Sequence, residues 1–200
     1  MKTIQVSMTL LSDTIFGSGR SVPGQEDISV LHDADGFPYY RGSTFRGVFR
    51  EELERYTRWT GLYKPILAED GSEKPGQENP VVRRLLGSNR GAGERAGCMA
   101  FSDFTLPEPV MNIVLSQLGE GSAEEVLDAC THLRAFTQIS EEGTAEHGTL
   151  RIARCVNRGL IFQSAISMPG EDEELVREVL AMIKWIGTMR NRGFGKVRIQ

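Results

Sequence analysis

Cysteine is scarce in this sequence. Cys98, Cys130 and Cys155 are odd in number and far apart, which excludes a disulfide framework and a CxxC metal site and implies reduced, buried thiols. Long apolar runs are missing as well. No stretch approaches the roughly eighteen apolar residues of a membrane helix, and KTIQVSMTLL at 2–11 lacks the apolar length and small-residue cleavage site of a secretory signal, so the expectation is a cytoplasmic protein. The familiar catalytic strings are absent: no GxSxG, no HExxH and no GxxxxGK[ST] occurs, and His32, His132 and His147 do not have zinc-ligand spacing. GSGR at 17–20 and GFG at 193–195 are glycine-rich but do not complete a dinucleotide fingerprint, and DADG at 33–36 is a turn signal without the distal ligands of a calcium loop. No repeat of about twenty to fifty residues is visible, so a solenoid is excluded.

What is present is an uneven distribution of charge. The 200 residues carry 23 Lys plus Arg against 27 Asp plus Glu, a net −4, with 40% apolar content typical of a globular chain. Yet Lys184 to Gln200 holds five cations (Lys184, Arg190, Arg192, Lys196 and Arg198) and no carboxylate, while acid concentrates in EDEE at 171–174 and in pairs at 124–125 and 141–142. A local patch of this kind, and not the net figure, steers a polyanion. A second cationic set, Arg41, Arg46, Arg50, Arg55 and Arg58, is diluted by Glu51, Glu52 and Glu54 and reads equally well as a solvated helix face.

The alternation of Ile4, Val6, Met8 and Leu10 predicts a strand, and Ser12 to Gly42 reads as a long loop. Ser43 or Thr44 is the expected cap of a helix carrying Phe45, Val48, Phe49, Leu53 and Tyr56 on one face, with Arg46 and Arg50 on a neighbouring one. Cations near a helix N-terminus oppose its dipole, a hint that an anion belongs there. Gly61 to Gly97 reads as an excursion with one helical turn at VVRRLLG, and CMAFSDFTL as a strand stopped by Pro107 and Pro109. SAEEVLDACTHL has the capping-box spacing of Ser122 and Glu125 before a helix that would include Leu133. TLRIARCV and LIFQSAISM follow as strands joined by a turn at 157–159, the second with Leu160, Phe162, Ile166 and Met168 on one face. EDEELVREVLAMIKWIG is the clearest helix, with Leu175, Val179, Met182, Ile183 and Ile186 as its stripe, and KVRIQ closes as a strand. This order is the α+β, ferredoxin-like βαββαβ plan shared with RNA-recognition modules, in one domain spanning 1–200 with insertions at about 12–42, 60–97 and 107–150. RNRGFGKVR combines glycines that allow close backbone approach, cations that suit phosphates, and Phe194, which can stack on a base or pack beneath the loop; an ordinary glycine turn is the plainer reading.

Four segments, taken together and in order, resemble the motifs of the RAMP superfamily of CRISPR-associated proteins. GFPYYRGSTFRGVFREEL is similar to the family's PYIPGSSLKGALR element, RLLGSNRGAGERAGCMAFSDFTL to its LFGS element, GTAEHGTLRIARCV to its TGxAxxGxLR element, and RNRGFGKVRI to its C-terminal glycine loop. Tyr40 and Arg41 stand where Ile and Pro are usual, and Glu142 stands where a basic residue often precedes the third element's Thr. The early GSG and the stretch PGQEDISVLHDADGFPYYRG resemble the repeating backbone subunit of type III effector complexes. The resemblance implies a subunit that polymerises along guide RNA, inserts a thumb hairpin into the guide–target duplex, and pairs with further copies of itself and with other complex subunits. It implies Asp27 as the catalyst of target-RNA cleavage with Mg²⁺ or another divalent metal, Asp33 and Asp35 being weaker candidates. It also implies RNA contacts from Ser18, Arg20, Arg41, Ser43, Thr44, Arg46, Arg50, Arg190, Arg192, Phe194 and Lys196. A loop carboxylate suits such work because it can hold a metal-bound water or orient a ribose 2′-hydroxyl. Asp27 could equally serve as a turn or capping residue in a purely structural subunit, and a guide-processing endonuclease of the same superfamily would rely on His32.

Overall fold

The computed structural model describes all residues except 71, 73, 75, 76, 89–95, 120, 139, 141, 145 and 147. His147, Glu141 and the NRGAGER stretch of the second motif therefore lie outside the described residues. In chain order the elements are β1 (Lys2–Leu10), α1 (Gly42–Trp59), α2 (Pro80–Leu86), β2 (Ala100–Phe101), α3 (Glu108–Leu118), α4 (Ala123–Cys130), β3 (Thr131–Phe136), β4 (Arg151–Val156), β5 (Ile161–Met168), α5 (Glu173–Met182) and β6 (Val197–Ile199).

Four strands form an antiparallel sheet in the order β2-β5-β1-β6. With α1 between β1 and β2, and α5 between β5 and β6, this is the ferredoxin-like plan anticipated above. The register places Ile4 opposite Ile166, Met8 opposite Phe162, and Val6 opposite Ser164, so the period-two pattern buries one face of the sheet. Onto that face α1 lays Phe45, Phe49 and Leu53, and α5 lays Val176, Val179 and Leu180, all in one core cluster. Phe45 meets Phe104 with ring centroids 4.6 Å apart, and Phe16 meets Phe162 edge-on at 5.2 Å. Each fully buried Phe or Leu of this kind is worth about 1.5–3 kcal/mol.

Several local expectations are overturned, each because tertiary pairing wins. Neither Ser43 nor Thr44 caps α1. Its N-cap is Arg41, without a capping side-chain bond, and the Gly42 N–H donates instead to Asp103 Oδ1 at 2.7 Å. The helix start is pressed so closely on the chain after β2 that a Cβ at Gly42 would lie 2.5 Å from the Phe101 and Ser102 carbonyl oxygens. Pro107 and Pro109 do not end β2, which stops at Phe101; they open α3, where a missing N–H costs nothing in the first turn. The capping box at Ser122 and Glu125 forms as read, yet α4 ends at Cys130, and Leu133 belongs to β3. Consequently β4 and β5 are not a hairpin. β4 pairs with β3, from Thr131–Val156 to Phe136–Arg151, in a separate two-stranded sheet. The other edge of β4 is occupied by the 12–42 loop, through bridges Thr14–Val156 and Ile28–Ala153. Finally, α5 ends at Met182, because Lys184 to Ile186 pair in extended form with Gly195 to Val197, the Ile186 N–H donating to Gly195 O and the Val197 N–H to Lys184 O, both at 2.9 Å. The buried stripe is accordingly Val176, Val179 and Leu180, with Leu175 and Met182 only half-buried. Among the described residues no helix is long and apolar enough to cross a membrane.

Cys130 and Cys155 are buried, and desolvation, helped by the charges of Asp33 and Asp13 respectively, pushes each thiol up to about 11 from the ordinary 9.0. Cys98 is half-buried and donates to the Arg84 carbonyl. The folded state thus favours protonated Cys130 and Cys155: their contribution to stability is complete below about pH 9 and declines as pH rises toward 11. In Ellman titration of the native protein at pH 8 only Cys98 should react promptly, with all three thiols reacting in guanidinium; prompt native labelling of Cys155 would contradict this packing.

Candidate functional site

The cationic residues singled out in the sequence divide between two flanks of α1. On one flank, Arg50 Nη2 donates to the Leu86 and Gly87 carbonyls at 2.9 and 2.8 Å, and Arg46 Nη2 donates to the same Leu86 oxygen. These carbonyls end α2, where unsatisfied acceptors and the negative pole of the helix attract cations. The pair therefore complements the C-terminus of α2, which corrects the inference that their position signals an anion at α1. Burial, and next to it Arg46, lowers the Arg50 pKa from its ordinary value.

On the other flank, Thr44, Val48 and Glu51 border a groove of about 280 Å³ whose opposite wall is Gly187, Thr188 and Arg190 and whose end is formed by Gly17 and Tyr40. The first helix and the basic tail do meet here, through Thr44 and Arg190, while Arg46 and Arg50 face away. Arg41 and Ser43 are exposed at the start of α1 beside this groove. The GSG loop is held by its own backbone: Ser18 N–H and Oγ both donate to Ser29 O, and the Arg20 N–H donates to Ser18 Oγ, leaving the Arg20 side chain exposed.

The tail loop is shaped by left-handed residues. Gly187, Met189, Gly193 and Gly195 all have positive φ, and a Cβ at Gly195 would lie 1.9 Å from the Ile186 carbonyl oxygen, so glycine is required there. Arg190 to Arg192 form one 3-10 turn with both arginines exposed, and Lys196, anchored through its N–H to Ser12 Oγ, is exposed as well. Phe194 points the other way. It is only 3% exposed, meets Phe136 edge-on at 5.6 Å, and lies under the Arg134 guanidinium at 5.0 Å, so it packs beneath the loop and offers no face to a base.

Asp27 lies in the 12–42 loop where it crosses β4. Its N–H donates to Ile152 O at 2.8 Å, and the Ile152 N–H donates to Asp27 Oδ2 at 2.7 Å. Oδ1 accepts nothing from the described residues, and the side chain borders an open cleft of about 240 Å³ between residues 21–26 and Ile152. Neighbouring Glu26 points inward. Arg154 Nε donates to Glu26 Oε2 at 2.6 Å, and Arg154 Nη1 donates to Asp128 and to Thr131 Oγ1, with the Glu26 and Arg154 side chains only 2% and 8% exposed. Burial opposes the Arg154 charge, but its bonds to Asp128 and Glu26 outweigh that effect and raise its pKa. Sequence reasoning missed this clamp, though a cation inside the apolar run IARCV is a signal for a buried partner.

The weaker candidates have local duties. Asp33 Oδ1 accepts from the Asp35 and Phe37 N–H groups, closing the DADG turn, and Nδ1 of the exposed His32 ring lies 2.9 Å from the Asp33 carbonyl oxygen. His132 Nδ1 lies 2.6 Å from Asn157 Oδ1 and its Nε2 lies 3.5 Å from Asp13. Among the described residues no three His, Cys, Asp or Glu side chains cluster as a ready-made metal site.

A model of the RAMP superfamily matches residues 7–198. A chain of the solved structure described as the type III-B Cmr-β complex bound to cognate target RNA superposes with a TM-score of 0.71 at 14% identity, covering 100% of this chain and 97% of that one. A chain of the apo type III-B Cmr-β complex gives 0.69 at 13% identity, covering 99% and 96%. Comparison with curated proteins finds no match.

Arg154→Met should cost about 3–5 kcal/mol in urea unfolding, because it strands the Glu26 carboxylate in the interior, and Glu26→Gln added to it should recover a large part. A single-variant loss below about 1 kcal/mol would mean that the clamp does not organise this loop.

Proposed function

The chain belongs to the RAMP superfamily, and from that membership we propose that it is a repeating backbone subunit of a type III CRISPR effector complex, binding guide RNA along its phosphates and cutting bound target RNA at Asp27. The carrying observation is the presentation of Asp27: an exposed side chain bordering a cleft, one carboxylate oxygen fixed by the Ile152 N–H and the other without a partner among the described residues, on a loop clamped to the β3–β4 hairpin by a buried ion pair. The β3–β4 hairpin, set apart from the main sheet, is the candidate thumb. Arg190, Arg192 and Lys196, exposed on the glycine loop, would meet phosphates without reading sequence, as a subunit repeated along a variable guide requires. The complexes that share its fold are described as binding target RNA in one case, which accords with this reading.

A magnesium ion fits Asp27 only as a site shared with RNA, since Mg²⁺ is commonly held by one or two carboxylates together with substrate phosphates. Bound there, it would neutralise charge developing on the phosphate. Asp27 accepts the ribose 2′-hydroxyl proton at its unpartnered carboxylate oxygen as the 2′-oxygen bonds to the adjacent phosphorus and the bond to the 5′-oxygen breaks. The departing oxygen takes a proton from water, leaving a cyclic phosphate and a 5′-hydroxyl.

The assembled complex, given labelled complementary RNA and Mg²⁺, should cut at regular intervals; Asp27→Ala should slow cutting by about 10²- to 10⁴-fold, the usual contribution of a proton-transfer residue, without weakening RNA binding, and chelation should abolish cutting. An unchanged cutting pattern in Asp27→Ala would make this a non-catalytic structural subunit. RNA extracted from the same complex should be guide-sized with a repeat-derived tag.

A further inference from the structure

Trp185 follows α5 on the extended segment whose neighbours Ile183 and Ile186 are buried, yet Trp185 itself is 39% exposed. It sits opposite Lys196 in an antiparallel bridge, so its position is set by backbone pairing and not by any demand of the core. The indole borders a cleft of about 370 Å³ together with Arg55, Lys184, Arg190, Glu52 and Met182. That volume is within the usual range for small-ligand pockets, from about 300 Å³ upward. The charge in it is one-sided. Arg55 Nη1 donates to both Glu52 oxygens, at 2.8 and 2.9 Å, cancelling the one carboxylate, whereas Arg190 has no ion pair among the described residues and Lys184 bonds only the Ala181 carbonyl. An acidic protein thus keeps a positively charged cleft with an aromatic wall and an apolar floor at Met182.

Arg190 borders both this cleft and the Thr44 groove on the same side of α1, so one cation serves both recesses. We infer that Trp185 is a stacking platform for one base of single-stranded RNA whose backbone passes Arg190, with Lys184 facing a flanking phosphate. Stacking on an aromatic face needs no base identity and suits a variable strand, and cations beside the ring serve the phosphates of the same nucleotide. A protein partner would be expected to bring an apolar surface, and the two uncancelled cations disfavour that choice. This inference rests on the RNA-binding reading above.

The chain has two tryptophans, and Trp59 is 79% exposed, so Trp59→Phe leaves Trp185 as the single emitter in an otherwise intact full-length chain. Titration with 20-nucleotide oligoadenylate should quench that emission saturably, and inorganic pyrophosphate should not. In anisotropy with labelled RNA, Trp185→Ala should weaken binding about 5- to 100-fold, equivalent to the roughly 1–3 kcal/mol of one base stack, and Trp185→Phe should restore most of it. RNA bound with unchanged affinity by Trp185→Ala and without quenching overturns the platform while leaving RNA binding intact. No RNA binding by either the wild-type chain or the assembled complex refutes the underlying reading itself. Self-association lost in Trp185→Ala, without quenching by RNA, assigns the indole to a protein contact and also overturns the platform.

Discussion

A buried arginine has to be answered by acceptors wherever it sits, and Arg154 is answered by three segments at once. Glu26 comes from the long first loop, Asp128 from α4 and Thr131 from the start of β3, while Arg154 itself stands on β4. An ion pair in such a setting adds little net stability compared with an apolar replacement, because desolvating the two charges offsets their attraction. Its value is positional. A carboxylate that is 2% exposed tolerates no other arrangement, so the loop is registered on the hairpin, and Asp27, one residue on at a bend, is left exposed. The buried carboxylate holds the loop in place, and the exposed one beside it is carried on that fixed backbone.

The same logic organises the C-terminal loop. Its glycines bring the backbone of Gly195 within van der Waals reach of Ile186, which lets the chain leave α5, turn, and return as β6 beside its own exit. Phe194 fills the small second cluster with Ile15, Ala153 and Cys155 beneath the turn. The loop is therefore fixed from below by an apolar anchor and from within by left-handed residues, and its cations are held outward on a rigid platform. A backbone already held in this way adds no loop-ordering cost when an anion meets its cations.

Much of the frame was legible because it rests on periodicity. The alternation of β1, the apolar stripe of α1 and the capping box of α4 are local signals, and each formed where those signals lie. The errors share one cause. Local signals read Thr131 to Leu133 as helix, Lys184 to Ile186 as the end of another, and β4 as a hairpin with β5, since strand pairing with distant partners leaves little trace in a local window. At the candidate site, residue types were readable but directions were not. Arg46 and Arg50 look equivalent to Arg190 in sequence, yet they are committed to the carbonyls ending α2, which no spacing within α1 reveals. Phe194 was ambiguous for a related reason: a glycine-flanked aromatic can face either side of its loop, and only the apolar cluster below decides it.

The contrast between an acidic protein and its basic tail becomes a matter of pairing. The acids at 171–174 are partly cancelled: Asp172 holds Arg84 through two bonds, and Glu173 meets both Lys2 and Arg177, which lower its pKa. Arg190, Arg192, Lys196 and Arg198 have no ion pairs among the described residues. At physiological ionic strength charges interact over about 8 Å, so the acid elsewhere on the molecule is screened from a polyanion lying on this loop. Net charge then governs solubility, while uncancelled charge governs contact. An overall −4 therefore does not by itself oppose a polyanion at an unpaired basic loop.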